Sequence, residues 1–275
     1  MVEREKQPTQ LQSNVERIEK ETMYLLKGDD GITQLVLNRP HVRNAINKQG
    51  FDDLKGLVDI VAQDTSTRVL TIRGEGKVFC SGVDLNYLTS EEMNLAFFKK
   101  WEKVMRTLET MDKIVIAGMH GFAISAGVQI GLASDIRVAS DDLILRIPKE
   151  PVVTGLAYFR LPRFIGEGRA KKLLLTGMNI HADEAIAIGL VDYVIPREKF
   201  DIELGAIAKD ASHGITGATF LTKQLLAKTN GENYRYSHAR YMEEQKIALA
   251  SADFAAFKIS YFEERQKKLQ QPQLI

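Results

Sequence analysis

Apolar positions along this chain alternate between two periods. Met23-Tyr-Leu-Leu26 and Ile32-Thr-Gln-Leu-Val-Leu37 are short apolar runs on either side of Gly28-Asp-Asp-Gly31. Gly and Asp supply the positive φ a tight turn needs, so the pair reads as a hairpin. Asn38-Arg-Pro40 breaks the second strand. The period then lengthens: Phe51, Leu54, Val58 and Val61 fall on one face of a helix over 51–63, with Asp52, Asp53, Lys55 and Asp59 on the wet side. Val69-Leu-Thr-Ile72 follows as a short buried strand.

The alternation repeats. A Gly-rich turn leads from strand 69–72 into helix 90–111, where Leu95, Phe98, Trp101, Val104, Met105 and Leu108 share a face. Strand 114–117 passes through a second small-residue turn, 121–127, into a short helix and then strand 136–139. A third cycle is read as strand 173–176, helix 182–188 and strand 191–195. Strands alternating with helices predict an α/β fold with largely parallel pairing. Beyond about Lys199 the pattern is helical only, marked by Ile207, Phe220, Leu225, Met242, Phe254 and Phe262. This tail has little interior of its own and is expected to fold over the core or a neighbouring subunit. Three regions result: a polar leader over 1–20, a core over 21–198 and a helical region over 199–275.

Composition narrows the classes of function. The 37 basic and 36 acidic side chains of the 275 residues nearly cancel, which argues against nucleic acid or an anionic membrane as the main partner. No apolar run approaches the roughly 18 residues of a membrane span, and residues 1–20 show neither a secretory nor a transit pattern. The single cysteine, Cys80, excludes an intrachain disulfide framework. A cytoplasmic protein is the expectation. Gly74-Glu-Gly-Lys77 fails the spacing of a phosphate-binding loop, no Gly-x-Ser-x-Gly elbow occurs, and the five histidines show no paired ligand spacing, so no metal site is expected.

Chemistry concentrates in two turns, Lys77-Val-Phe-Cys-Ser-Gly-Val-Asp-Leu85 and His120-Gly-Phe-Ala-Ile-Ser-Ala-Gly-Val-Gln129. Each follows a buried strand and precedes a helix, the end of an α/β sheet where ligands bind. Gly82, Gly121 and Gly127 permit close backbone approach and leave amide hydrogens free to point outward, and the second turn opens a helix whose dipole adds partial positive charge.

In their order and spacing these turns resemble the crotonase superfamily, also called the enoyl-CoA hydratase/isomerase family, from about Tyr24 to Arg265. Asn38-Arg-Pro-His-Val-Arg-Asn-Ala45, Val78–Leu85, Lys113–Gly121 with Ile124–Asp135, and Leu173–Gly177 with Ala182–Pro196 carry the likeness. It implies a spiral core of repeated ββα units and a helical trimerisation region at the C-terminus, assembled as a homotrimer or a dimer of trimers. It further implies an acyl-CoA or acyl-carrier thioester as substrate, with no cofactor beyond the coenzyme A that the substrate brings. The thioester carbonyl would accept hydrogen bonds from the amides of Val83 and Ala126, an oxyanion hole for an enolate. Arg43, Ala45, Ser81, Gly82, Asp84 and Leu85 would line the coenzyme path, with Tyr87 and Gly127 beside it.

The sequence departs from the family where hydration is decided. Hydratases of this family use two glutamates; the first position here is Gln129, an amide that cannot take a proton from water at neutral pH. The second falls at Lys149 without a gap and at Glu150 after a one-residue shift, and the glycine-rich stretch that normally follows is shortened to 152–158. Ala126 stands at a usual glycine position, where its methyl narrows the acyl pocket. Three readings follow: a single-carboxylate enoyl-CoA isomerase using Glu150, a decarboxylase or C–C hydrolase working through the same hole with Lys149, Tyr87 or a histidine, and a non-catalytic acyl-CoA-binding paralogue.

Overall fold

The computed structural model describes residues 15–88, 95–148, 160–229 and 263. A seven-stranded sheet runs in the order β1 (Glu16–Glu19), β2 (Met23–Lys27), β3 (Ile32–Leu37), β4 (Val69–Gly74), β5 (Ile114–Met119), β7 (Ile136–Ser140) and β10 (Tyr193–Ile195). β2 and β3 form the antiparallel hairpin that the Gly28–Gly31 turn predicts, and β1 adds antiparallel to β2; from β3 onward every pair in this sheet is parallel. A second, three-stranded sheet joins β6 (Phe122–Ile124), β8 (Ile144–Arg146) and β9 (Asn179–His181). Isolated bridges from Cys80 to Ala123 and from Ile46 to Val83 extend this small layer.

Each cycle of the chain therefore crosses the large sheet, touches the small layer and returns through a helix. β5 passes to β6 and α4 (Ala126–Ala133), and β7 passes to β8 and on toward α5 (Leu161–Thr176). This is the repeated ββα spiral that the resemblance implies. Parallel strands lie buried on both faces. One face meets the main core, where α1 (Lys48–Gln63) and α3 (Leu95–Thr110) contribute Phe51, Leu54, Trp101 and Met105. The other is covered by α7 (Phe200–Ser212), whose Phe200, Leu204 and Ala208 pack on Val69, Ile116 and Val138.

Several elements differ from the sequence expectation for definable reasons. Leu173-Leu-Leu-Thr176 is not a strand but the end of α5: a short apolar run fits either element by periodicity alone, and here Leu173 is buried while Leu175 is exposed. Gly177, at φ 63°, closes that helix by donating its N–H to the Leu173 carbonyl at 3.0 Å. α1 begins three residues earlier than its apolar stripe, because the Asn47 side chain caps the Gly50 N–H at 2.8 Å. Asp53, expected on the wet face of α1, is only 4% exposed. Its carboxylate accepts from Thr22 N and Oγ1 and from Gln49, tying α1 to the start of β2. β1 falls within the stretch read as a leader, and helix 90–111 is described from Leu95. The rest of the cycle runs through α6 (Ala182–Ala187) and β10.

The helical region that follows the sheet is described as α7 and α8 (Gly217–Thr229); residues 230–262 and 264–275 lie outside the described residues. Lys223 anchors α8 by donating to the carbonyls of Leu108 and Lys113 and to Asp135 Oδ2, at 2.7 to 2.8 Å.

The strongest polar lock joins α3 to the entry of α5. The Arg160 side chain, 1% exposed, forks onto Glu102 at 2.6 and 2.9 Å and onto Glu109 at 2.7 and 3.2 Å. Burial pushes the Glu109 carboxyl up, but Arg160 and Arg106 outweigh it and hold the group below its ordinary value of 4.5. Replacing Arg160 by Met leaves Glu109 buried without its main partner, so R160M is expected to lose about 3 kcal/mol in urea unfolding. A carboxylate held low when folded stabilises above its unfolded pKa, and that stability is lost as pH falls through the folded value. Wild-type stability should therefore decline between pH 5 and 3, and the decline should be shallower in E109Q, measured by denaturation at each pH.

Candidate active site

The two turns meet backbone to backbone. Phe79 N donates to the His120 carbonyl at 2.8 Å, Cys80 N to that of Phe122 at 3.0 Å, and Ile124 N to that of Cys80 at 2.9 Å. Two of their glycines leave no room for an added side chain. A Cβ at Gly127 would stand 2.7 Å from the Cys80 carbonyl oxygen, and one at Gly82, where φ is 104°, would meet the Ile124 carbonyl at 3.2 Å. Glycine is required at 127 by proximity and favoured at 82 by conformation as well. Cys80 is sealed inside this contact; burial pushes its thiol up to about 12, so it packs and does not react.

A third segment braces the first turn from the other side. Ile46 N donates to the Gly82 carbonyl, Asp84 N to that of Ile46, and Ser81 N to that of Arg43, at 2.8 to 3.0 Å. The bonds on either side of Val83 use its neighbours, and Val83 N–H itself donates to no described residue. Ala126 N–H also donates to no described residue, for a different reason. It is the first residue of α4, whose first intrahelical bond is Gln129 N to the Ser125 carbonyl, and the Ser125 side chain makes no cap. Ser125 adopts φ 49° and ψ −105°, the first central position of a type II′ turn. A non-glycine residue there costs about 1–3 kcal/mol, and the ψ value turns the Ser125–Ala126 peptide out of the surrounding ladder. All eight residues of α4 are buried. A buried helix start without side-chain caps needs partners from outside the helix.

The other expected residues distribute around this junction. Arg43 is exposed with no side-chain partner among the described residues, Ala45 and Ser81 are half-buried, and Gly82 and Gly127 are buried. The Asp84 carboxylate is taken up by Asn86 N at 3.1 Å and Arg39 at 3.5 Å, a positioning task. The backbone of Leu85 opens α2 (Leu85–Leu88). Tyr87 packs edge-on against Phe97 with centroids 5.5 Å apart. Gln129 is 4% exposed, its Oε1 3.4 Å from Trp101 Nε1. Lys149 and Glu150 lie outside the described residues. His120 is buried with Nε2 3.2 Å from the Gly76 carbonyl; burial and the Arg197 charge lower its pKa, so it stays neutral and structural.

Asn44 is a residue that the sequence reading passed over. It is 2% exposed, sits at φ 55°, accepts from Arg39 N at 2.8 Å and donates Nδ2 to the carbonyls of Glu75 and Val78 at 3.0 and 2.7 Å. Its side chain staples segment 38–45 to the first turn. Asn is the non-glycine residue that best tolerates this conformation, which is the one signal the sequence offered.

With this geometry in view, the comparisons with known proteins fall into line. The sequence model of the enoyl-CoA hydratase/isomerase family matches residues 27–272. The chain is 35% identical over 192 residues to a crotonyl-CoA hydratase of Syntrophomonas wolfei, covering 67% of this chain and 73% of that one. It is 31% identical over 212 residues to a short-chain-enoyl-CoA hydratase of Clostridium acetobutylicum, covering 74% and 80%. The solved structure of an enoyl-CoA hydratase from Mycobacterium smegmatis superposes with a TM-score of 0.80 at 26% identity, over 90% of this chain and 97% of the other. The chain belongs to the enoyl-CoA hydratase/isomerase family.

Proposed function

We propose that the chain binds an acyl-CoA with its thioester oxygen between the amides of Val83 and Ala126, stabilises the enolate formed there, and shifts a double bond with one carboxylate. The observation that carries this reading is the uncapped, buried start of α4 beside a second free amide on an abutting turn. Each such donor is worth about 3–4 kcal/mol of transition-state stabilisation when it is fixed in advance. The backbone ladder between the turns fixes both. The free Arg43 guanidinium stands where its carbonyl ties into the first turn, a contact for the phosphates of the coenzyme.

The proton-moving group follows from chemistry. Gln129 has no acidic proton to exchange near neutrality, so Glu150 takes the role. Its carboxylate removes a C2 proton from a 3-enoyl thioester, the electron pair delocalises onto the thioester oxygen, and the carboxyl returns the proton to C4, leaving the double bond at C2. No cofactor beyond the substrate's own coenzyme A enters the scheme. The family's oligomer, a homotrimer or a dimer of trimers, is part of the same reading; the exposed Ile202 and Leu226 of α7 and α8 offer apolar surface for it.

Mass spectrometry in deuterium oxide tests the scheme. The wild type should convert a 3-enoyl-CoA to the 2-enoyl isomer, with deuterium at C4 in proportion to exchange of the Glu150 carboxyl proton with solvent, and E150Q should be at least about a hundredfold slower with acyl-CoA affinity little changed. Undiminished turnover in E150Q overturns the assignment of Glu150. Loss of carbon dioxide from a malonyl-type thioester, or cleavage of a β-diketo one, in place of isomerisation would select the decarboxylase or C–C hydrolase alternative. Binding without turnover of any substrate would make the chain a non-catalytic paralogue.

A further inference from the structure

Enolate stabilisation leaves the pairing of Trp101 with Gln129 without a purpose. Gln129 lies three residues after Ala126, on the same face of α4. Helical side chains lean toward the helix N-terminus, so the carboxamide lies toward the end of α4 from which the Ala126 N–H projects. Trp101 Nε1 is 3.4 Å from Gln129 Oε1. An indole N–H can only donate, so this contact decides which way the amide is turned: oxygen to Trp101, NH2 away from it. The indole packs against the rings of Phe51 and Phe97, each 6.1 Å away and themselves in edge contact at 5.1 Å, and is 1% exposed.

The Gln129 NH2 donates to no described residue. Nor is it sealed from solvent: the only fully buried side-chain polar atom without a partner, among the described residues, is His120 Nδ1. Gln129 thus keeps an open hydrogen-bond donor on a side chain that is otherwise buried. A carboxylate at this position would repel an oxygen on the acyl chain; the amide, locked in this orientation, attracts one. A plain hydrocarbon chain would cover the NH2 and leave it without any acceptor, an unfavourable exchange.

We propose that Gln129 selects an acyl thioester carrying an acceptor oxygen beside its α-carbon, as a 3-oxo or α-carboxyl group, and that Trp101 is the positioning residue that holds the donor side of the carboxamide outward. The inference rests on the thioester site between Val83 and Ala126 and not on the double-bond shift, and the preference it adds favours the decarboxylase or C–C hydrolase alternative, whose substrates carry such an oxygen. Such an oxygen also makes the neighbouring carbon more acidic or a better leaving point for carbon dioxide, in keeping with an enolate-stabilising site.

Calorimetric titration of the full chain with acetoacetyl-CoA, malonyl-CoA and butyryl-CoA tests it, and the first two ligands separate the oxo from the carboxyl source. At least one oxygenated thioester should bind about tenfold more tightly than butyryl-CoA. That gap should shrink below about twofold in Q129M, which keeps the length of the side chain without the amide, and should narrow in W101F, which removes the lock. Trp101 is the sole tryptophan of the chain, so its fluorescence should shift further with the favoured oxygenated ligand than with butyryl-CoA. Equal affinities for all three ligands overturn the preference while leaving the thioester site intact, and the wild-type comparison needs no variant to fold. A gap unchanged in Q129M also overturns it. Failure of all three to bind removes the thioester reading along with the preference.

Discussion

The contact on which the structure depends is the backbone-to-backbone apposition of segments 78–84 and 121–127. Backbone hydrogen bonds at 2.8 to 3.0 Å hold it, and Gly127 keeps the gap closed where a methyl group would strike a carbonyl oxygen. Because the contact is made by backbone, it fixes amide directions more tightly than any side-chain arrangement could, since no rotamer has to be frozen. The large sheet delivers β4 and β5 side by side in parallel register, and the two turns leave the same end of it. The buried α4 then converts the second turn into a helix start. Fold and site are the same set of hydrogen bonds.

That arrangement explains what could be read from the sequence. The parallel half of the large sheet is legible because each strand is a short apolar run buried on both faces, as in Val69–Ile72 or Ile114–Ala117, and the helices between show their own period. The two turns are legible through their glycines. The small sheet is not: β6, β8 and β9 are three residues each, and what makes them strands is pairing across distant parts of the chain, which no local pattern records. The same holds for Leu173–Thr176, where a continuous apolar run hides a helix with alternating exposure. Asp53 looks like any surface carboxylate until Thr22 is seen to need an acceptor.

The site shows a parallel division. Val83 and Ala126 are assigned by position from the family resemblance of the two turns, whereas the reason that the Ala126 amide has no described acceptor lies in the dihedral angles of Ser125. Ser125 takes a conformation that serine rarely adopts, and Asn44 another that only its side-chain bonds make worthwhile. Strain of this kind is affordable because the surrounding ladder over-determines the backbone. The Arg160 fork contributes on a flank of α3, where two carboxylates and one guanidinium hold the helix that carries Trp101.

These constraints bear on what an amide in place of a carboxylate does at position 129. A glutamate there would be a buried charge in front of a helix start, stabilised by the dipole and available as a base. The glutamine removes that charge, so the partial positive potential of the α4 terminus is not neutralised by a neighbouring carboxylate. On the proposed function that potential acts on the thioester oxygen, and the site exchanges a proton acceptor for a stronger hold on negative charge. A single external base then fits the proposed enolate chemistry better than the two-carboxylate addition of water that the family resemblance implies.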